Sequence, residues 1–187
     1  MLCGFARGSS TIDNAHNLHF RTNIYHEYDN GNSLFGQLEP EVEFRHRSFG
    51  YLYKGHETRL TPHYTVVAVP FFRLGYGIGK KDRFSYRNNI EYNFRLTPTL
   101  PDLADMLDVV FDANPLNIYL GNPDLKTQYI QKHELNWEYI PSAIALSNYF
   151  YLAYQKTYNA LTRGFTYDTA TGVRRNRMYN VDGNGFY

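Results

Sequence analysis

The stretch from Arg83 to Leu96, RFSYRNNIEYNFRL, alternates with a period of two. One parity reads Arg83, Ser85, Arg87, Asn89, Glu91, Asn93 and Arg95, and the other reads Phe84, Tyr86, Asn88, Ile90, Tyr92, Phe94 and Leu96. Successive side chains on a strand point to opposite sides, so this run predicts a strand with one polar face and one nearly apolar face. At about 3.3 Å per residue it would span roughly 46 Å, whereas strands of globular proteins usually hold about 5 to 6 residues. Such a strand is too long for an ordinary sandwich.

The same rhythm recurs along the chain. Leu18, Phe20, Ile24 and Tyr28 share a parity, and Val42 and Phe44 oppose Glu39, Glu41, Glu43, Arg45 and Arg47. Leu135, Trp137 and Tyr139 oppose Glu134, Asn136 and Glu138, while Leu146, Phe150, Leu152 and Tyr154 oppose Ser147, Tyr149, Tyr151 and Gln155. Short connections are expected at Asp29 to Ser33, Ile78 to Asp82 and Ile140 to Ala143. Longer ones are expected at Lys54 to His63, Thr97 to Ile130 and Asn159 to Arg163. Short turns alternating with long loops predict an all-β, antiparallel up-and-down meander of about eight strands. Pro70, inside the run from Tyr64 to Ile78, cannot donate to a ladder and predicts a bulge or a break there.

Composition narrows the environment of that meander. With 19 Lys and Arg against 18 Asp and Glu, the net charge of +1 gives no general attraction to nucleic acid. The single cysteine, Cys3, leaves neither a disulfide framework nor a thiolate metal site within one chain. The longest apolar run, Val66 to Phe72, contains Pro70 and falls well short of the ~18 residues a membrane-spanning helix needs. Yet 18 Tyr, 13 Phe and one Trp make the chain 17% aromatic. Two arrangements accommodate long amphipathic strands of this kind. A soluble barrel or sandwich turns its apolar face inward. A transmembrane barrel turns an apolar, aromatic-tipped face outward to lipid and a polar face to the lumen. The charged parities of Glu39 to Arg47 and Arg83 to Arg95 fit a water-filled lumen.

FRLTPTLPDLADMLDVVFDANPLNIYLGNPDLKTQYIQKHELNWEYI contains Gly121, Asn122, Pro123, Asp124, Leu125 and Lys126, followed by Glu134 and Leu135 at a strand start. This segment resembles the signature region of TonB-dependent receptors, in particular the outer-membrane β-barrel family of Bacteroidota. In that family an Arg-x-x-Pro step ends one barrel strand, and a Gly-Asn-Pro-x-Leu-Lys-Pro-Glu run leads into the next. Thr127 and Gln128 stand here where Pro and Glu are usual. The explicit likeness covers Asn93 to Tyr139, and YDTATGVRRNRMYNVDG is similar to the family's next hairpin.

The resemblance implies an outer-membrane location in a Gram-negative cell and a barrel of about 22 strands. It also implies a plug domain, an energy-coupling protein as partner, and a nutrient ligand. Residues 1 to 187 are then expected to be a partial barrel domain, an interior portion without its plug. The alternatives are a small complete eight-strand outer-membrane barrel with a structural or adhesion role, and a soluble β-rich carbohydrate-binding module.

The residues themselves give Gly121 to Lys126 a structural reading. Gly tolerates positive φ and Pro fixes φ, so the run is expected to order the loop and register the next strand rather than touch a ligand. In LPDLADMLDVVF, Leu103, Leu107 and Val110 stand at helical spacing after Asp102, which predicts a short loop helix packed down on its apolar side. No catalytic, metal-binding or cofactor-binding residues are assigned. The seven histidines show no HExxH, and His16 and His19 would fall on opposite faces of a strand. GYGIGKK lacks phosphate-loop spacing, no serine sits in a G-x-S-x-G elbow, and Arg174, Arg175 and Arg177 read as a solvated strand end. An enzyme is not expected, nor is binding to nucleic acid.

Overall fold

The computed structural model describes residues 8–53, 56–79, 86–108, 110–111, 114–141 and 147–186. Its elements are β1 (Gly8–His19), β2 (Thr22–Glu27), β3 (Ser33–Glu39), β4 (Glu41–Tyr53), β5 (His56–Ala68), β6 (Phe71–Gly79), β7 (Tyr86–Thr99), α1 (Leu103–Met106), β8 (Val110–Phe111), β9 (Asn117–Leu120), β10 (Gln128–Pro141), β11 (Asn148–Asp168) and β12 (Val173–Phe186). They form a three-stranded sheet, β1-β4-β5, and a nine-stranded sheet, β2-β3-β6-β7-β10-β11-β12-β9-β8. Every pairing is antiparallel except that of β12 with β9. The two sheets do not close into a barrel among the described residues.

The division into two sheets marks a crease in one meander. β1 runs into β2 across Phe20 and Arg21, β3 into β4 across Pro40, and β5 into β6 across Val69 and Pro70. Proline has no N–H to give the ladder, so the strands break where Pro40 and Pro70 sit on neighbouring runs. Their carbonyls remain engaged: Phe20 N donates to Pro40 O at 3.1 Å and Leu96 N to Pro70 O at 3.1 Å. The local break expected at Pro70 is therefore present. The meander has a tight turn at Tyr28 to Asn32, where Gly31 has φ 84° and donates to Tyr28 O at 2.9 Å. The turns expected at 78–82 and 140–143 fall partly outside the described residues.

Register fixes the faces, because directly paired residues share a side. Ile24, Gly36, Leu74, Tyr92, Leu135 and Leu152 form one row across six strands. The next row holds His26, Leu34, Tyr76, Ile90, Trp137 and Phe150. This apolar face is open to its surroundings: Ile24 is 63% exposed and Leu152 48%. The interleaved rows are polar, with Gln37, Arg73, Asn93 and Glu134 in one and Glu91, Asn136 and Tyr151 in another. Ile90, Tyr92 and Phe94 thus stand opposite Arg87, Glu91 and Arg95, as the alternation predicts; Phe84 lies outside the described residues.

Three expectations need correction. Lys54 to His63 is not a long loop: β4 extends to Tyr53 and β5 begins at His56, so the described part of that stretch is strand. Its charged and polar side chains conceal a strand that lacks an apolar parity. Asn159 to Arg163 is not a connection either, since β11 runs unbroken from Asn148 to Asp168. Asn159 has φ 51° within a bulge where the register shifts between Thr157 and Ala160, and Asn tolerates that left-handed conformation in an extra, unpaired residue. The actual turn is at Asp168 to Gly172, where Gly172 has φ 73° and donates to Asp168 O at 2.8 Å. Finally, the loop helix is a single turn, Leu103–Met106, capped by Asp102, whose carboxylate accepts from Ala104 N at 2.8 Å. Val110, expected on its apolar side, belongs to β8 and is 54% exposed.

Candidate functional site

The polar face carries a mesh of paired charges. Arg73 donates to Glu91 at 2.5 Å, Asn93 to the same carboxylate at 2.8 Å, Lys132 pairs with Glu134 at 2.7 Å and Tyr151 donates to Glu134 at 2.7 Å. Arg87 pairs with Glu138 at 3.4 Å, and Arg21 and Gln37 both engage Glu39. Neighbouring strands bring side chains on one face to about 5 Å, so alternate charged residues assemble such a mesh automatically once the register is set. Phe35 also lies on this face, flat against its partner Gly75, where an added Cβ would fall 2.0 Å from the ring.

The long connection between β7 and β10 folds back against both ends of the meander. Leu103, Met106 and Leu125 from this loop are buried together, against Phe49 and Leu60 of β4 and β5 and against Leu161 and Met178 of β11 and β12. The loop therefore braces the first strands against the last. Arg47 anchors one end: only 4% exposed, it donates to Pro101 O at 2.8 Å and contacts the Met106 sulfur at 4.0 Å.

Gly121 to Lys126 form the other anchor. Gly121 passes so close to the loop's own backbone that a Cβ would sit 1.4 Å from Leu107 O, a space only glycine leaves. Asn122 N donates to Asp105 O at 2.7 Å, its side-chain amide donates to Met178 O at 2.8 Å, and its Oδ1 accepts from Arg177 at 3.2 Å and from Asp124 N at 3.3 Å. Pro123 and Asp124 are exposed, and Leu125 enters the buried cluster. Lys126 is held through its backbone, N donating to Asn180 Oδ1 at 2.8 Å and O accepting from Asn180 Nδ2 at 3.0 Å. The sequence does not announce Asn180 or Met178 as partners of this run, nor Arg47 as the partner of Pro101, since each lies more than fifty residues away.

Between β1, β4 and the incoming loop lies a cavity of about 610 Å³, lined by Thr11, Asp13, Glu43, Arg45, Arg47 and Phe49 and by residues 98–103. Arg45 is shared by Glu43 and by Asp13, the latter at 3.7 Å. Its polar groups converge on one open space beside a single aromatic ring. Asp105, in the loop helix, has its carboxyl pushed above the usual range by burial and then by the Asp102 charge, with Arg163 opposing. His16 and His19 do fall on opposite faces: His16 pairs with Phe44 in the register, and His19 stands 3.8 Å from Glu41. Among the described residues no group of three His, Cys, Asp or Glu is placed to hold a metal ion.

Residues 50–187, more than half of the chain, match the outer membrane protein beta-barrel family. No curated protein and no solved structure gives a match. No helix among the described residues is long and apolar enough to cross a membrane. The apolar rows with their open surroundings, the mesh of charges behind them and the family match agree, and the chain belongs to the outer membrane protein β-barrel family of the Gram-negative outer membrane.

Proposed function

We propose that this chain is the barrel portion of an outer-membrane receptor, of the TonB-dependent kind, that takes up a nutrient with energy supplied from the inner membrane. The observation that carries this reading is the long loop: a connection of this length, anchored at Arg47 and at Asn122, frames a cavity lined by charged side chains. A barrel serving only as structure needs no such furnishing. In this reading the apolar rows face lipid, the charged rows face the lumen, and the loop between β7 and β10 lies on the outer side of the membrane. The apolar face of the β3–β4 run extends from Leu34 to Phe44. At about 3.3 Å per residue and a tilt of about 40° this gives a band of roughly 25 Å, the height of a bilayer's apolar core in such barrels. A plug domain fills the lumen of the whole receptor, and an energy-coupling protein pulls on that plug to release the ligand.

Depletion of solutes from a complex medium tests the proposal in cells with and without the protein, each with and without a protonophore. A solute removed only by energised cells that carry the protein is the expected result. Removal that survives the protonophore would make the barrel a passive pore, and no difference between the strains would leave a structural or adhesive role.

A further inference from the structure

Beyond the loop anchor, β11 and β12 continue as a hairpin to the turn at Asp168 to Gly172, and the side of it facing the loop brings exposed arginines and open aromatic rings together. Leu161 and Met178 pack against the loop, and the residues that share their parity are Arg163, Phe165 and Tyr167 on β11 and Asn176 and Arg174 on β12. β9 adds Tyr119 beside Asn176. Asn176 is buried and tied to Asn117 Oδ1 at 2.7 Å and to Ile118 O at 3.2 Å, which fixes β9 in place. The aromatic residues around it stay open: Phe165 and Tyr167 are each 60% exposed and Tyr119 is 42% exposed.

Both arginines of this strip rest on rings rather than on acids. The Arg174 guanidinium lies 4.1 Å from the Phe165 ring centre and that of Arg163 5.8 Å from the Tyr119 ring centre. Among the described residues no carboxylate lies within ion-pair distance of either, in contrast to Arg21, Arg45, Arg73 and Arg87 on the polar face; the Asp105 charge acts on Arg163 only from beyond that distance. A guanidinium on a ring keeps its outward N–H groups available, and its planar fork matches a carboxylate in two parallel hydrogen bonds. Arg163 and Arg174 stand opposite Met178 and Tyr167 in the register, so they are separated by four residues along the strands, about 13 Å. Open rings lie between and beside them. Flat faces with two spaced, unpaired guanidiniums suit an extended ligand of stacked rings that carries more than one acidic group, rather than a compact one.

We propose that this strip is a capture site for an acidic oligosaccharide, its sugar rings stacked on Phe165, Tyr167 and Tyr119 and its carboxylates paired with Arg163 and Arg174. The site rests on the receptor reading, as the place where ligand is first held outside the membrane, but its binding is measurable without transport. The full chain is refolded in detergent and titrated with trigalacturonate, with the neutral galactose trisaccharide of the same linkage, and with an acidic peptide carrying three Asp. Trigalacturonate is expected to bind about tenfold or more tightly than either control. Arg174→Gln and Phe165→Ala should each weaken it by about tenfold. Arg175→Gln, the same change of charge on the opposite face of β12, should leave it unaltered, and all three variants should retain the wild-type strand circular dichroism. Equal binding of the neutral sugar or of the peptide, no binding of trigalacturonate, or an equal loss in Arg175→Gln would overturn the site. None of these outcomes depends on whether the chain takes part in energised uptake, so failure here and failure of the receptor reading are distinct.

Discussion

Replacing Gly121 by alanine should release the loop without unfolding the strands. The new Cβ would fall 1.4 Å from Leu107 O and 2.6 Å from the carbon that bears it. Ordinary contact begins near 3.4 Å, so the two backbone segments must part by about 2 Å. That movement carries Asn122 N, now 2.7 Å from Asp105 O, beyond hydrogen-bonding range, and it drags the Asn122 side chain from Met178 O and Arg177. Three hydrogen bonds at about 0.5 to 1.5 kcal/mol each, net of exchange with water, make the loss about 1.5 to 4.5 kcal/mol. In amide hydrogen exchange on the detergent-refolded chain, protection of Asn122, Leu125 and Lys126 should fall by a factor between about 10 and about 1,600, at a tenfold change per 1.4 kcal/mol. Amides of β10 near Leu135 should keep their wild-type rates. Asn122→Ala, which leaves the Gly121 approach intact, should produce a smaller loss over the same amides. Loop protection within about threefold of wild type in Gly121→Ala would refute the claim that close backbone approach holds the loop.

Three further outcomes can be measured directly. Leu152→Arg, on the exposed apolar row, should cost roughly 2 to 4 kcal/mol in refolding into bilayers if that row lies near the midplane, whereas Asn136→Arg on the polar face should cost far less; similar costs would invert the faces. The raised carboxyl of Asp105 means the docked loop holds that proton more tightly than the released loop does. Its contribution to docking is thus fully present below the ordinary Asp range and is lost as pH rises through the docked-state value; limited proteolysis of the loop should quicken from pH 3 to pH 7 and lose that component in Asp105→Asn. On intact cells, an epitope inserted in the Thr169 to Gly172 turn should be labelled and one at Asp29 to Gly31 should not, and the reverse pattern would turn the protein over in its membrane.

The faces of the strands were legible in the sequence because a strand writes its environment with a period of two, and a membrane-facing strand has water on one side and hydrocarbon on the other. Ile90 against Glu91 and Leu135 against Glu134 could be assigned from the letters alone. The stretch from His56 to Leu60 could not, because HETRL shows no apolar parity to register it. Asn159 misled for a different reason: Asn in a left-handed conformation signals a turn in most contexts, and here it signals a bulge within a longer strand. The loop motif's place before the strand was readable, but the reason for its glycine was not: a positive φ was expected at Gly121, whereas the residue has none and is required instead by its close passage against Leu107 O. The loop's long-range partners were not readable either, since nothing at Arg47 or Asn180 marks them as anchors rather than two more residues of a polar parity. The strip of Arg163, Phe165, Tyr167 and Arg174 needed both the bulge and the register before its members shared a side.

The parallel pairing of β9 with β12 acts as a stop. It covers Arg174 to Arg177, and the next carbonyl of the strand, Met178 O, accepts from the Asn122 side chain. A strand that seats itself against β12 cannot slide toward the loop past those residues, because the loop has already taken their hydrogen bonds. The loop thus sets how high its neighbour may climb, and a shortened or rewired β9 would blur that limit first.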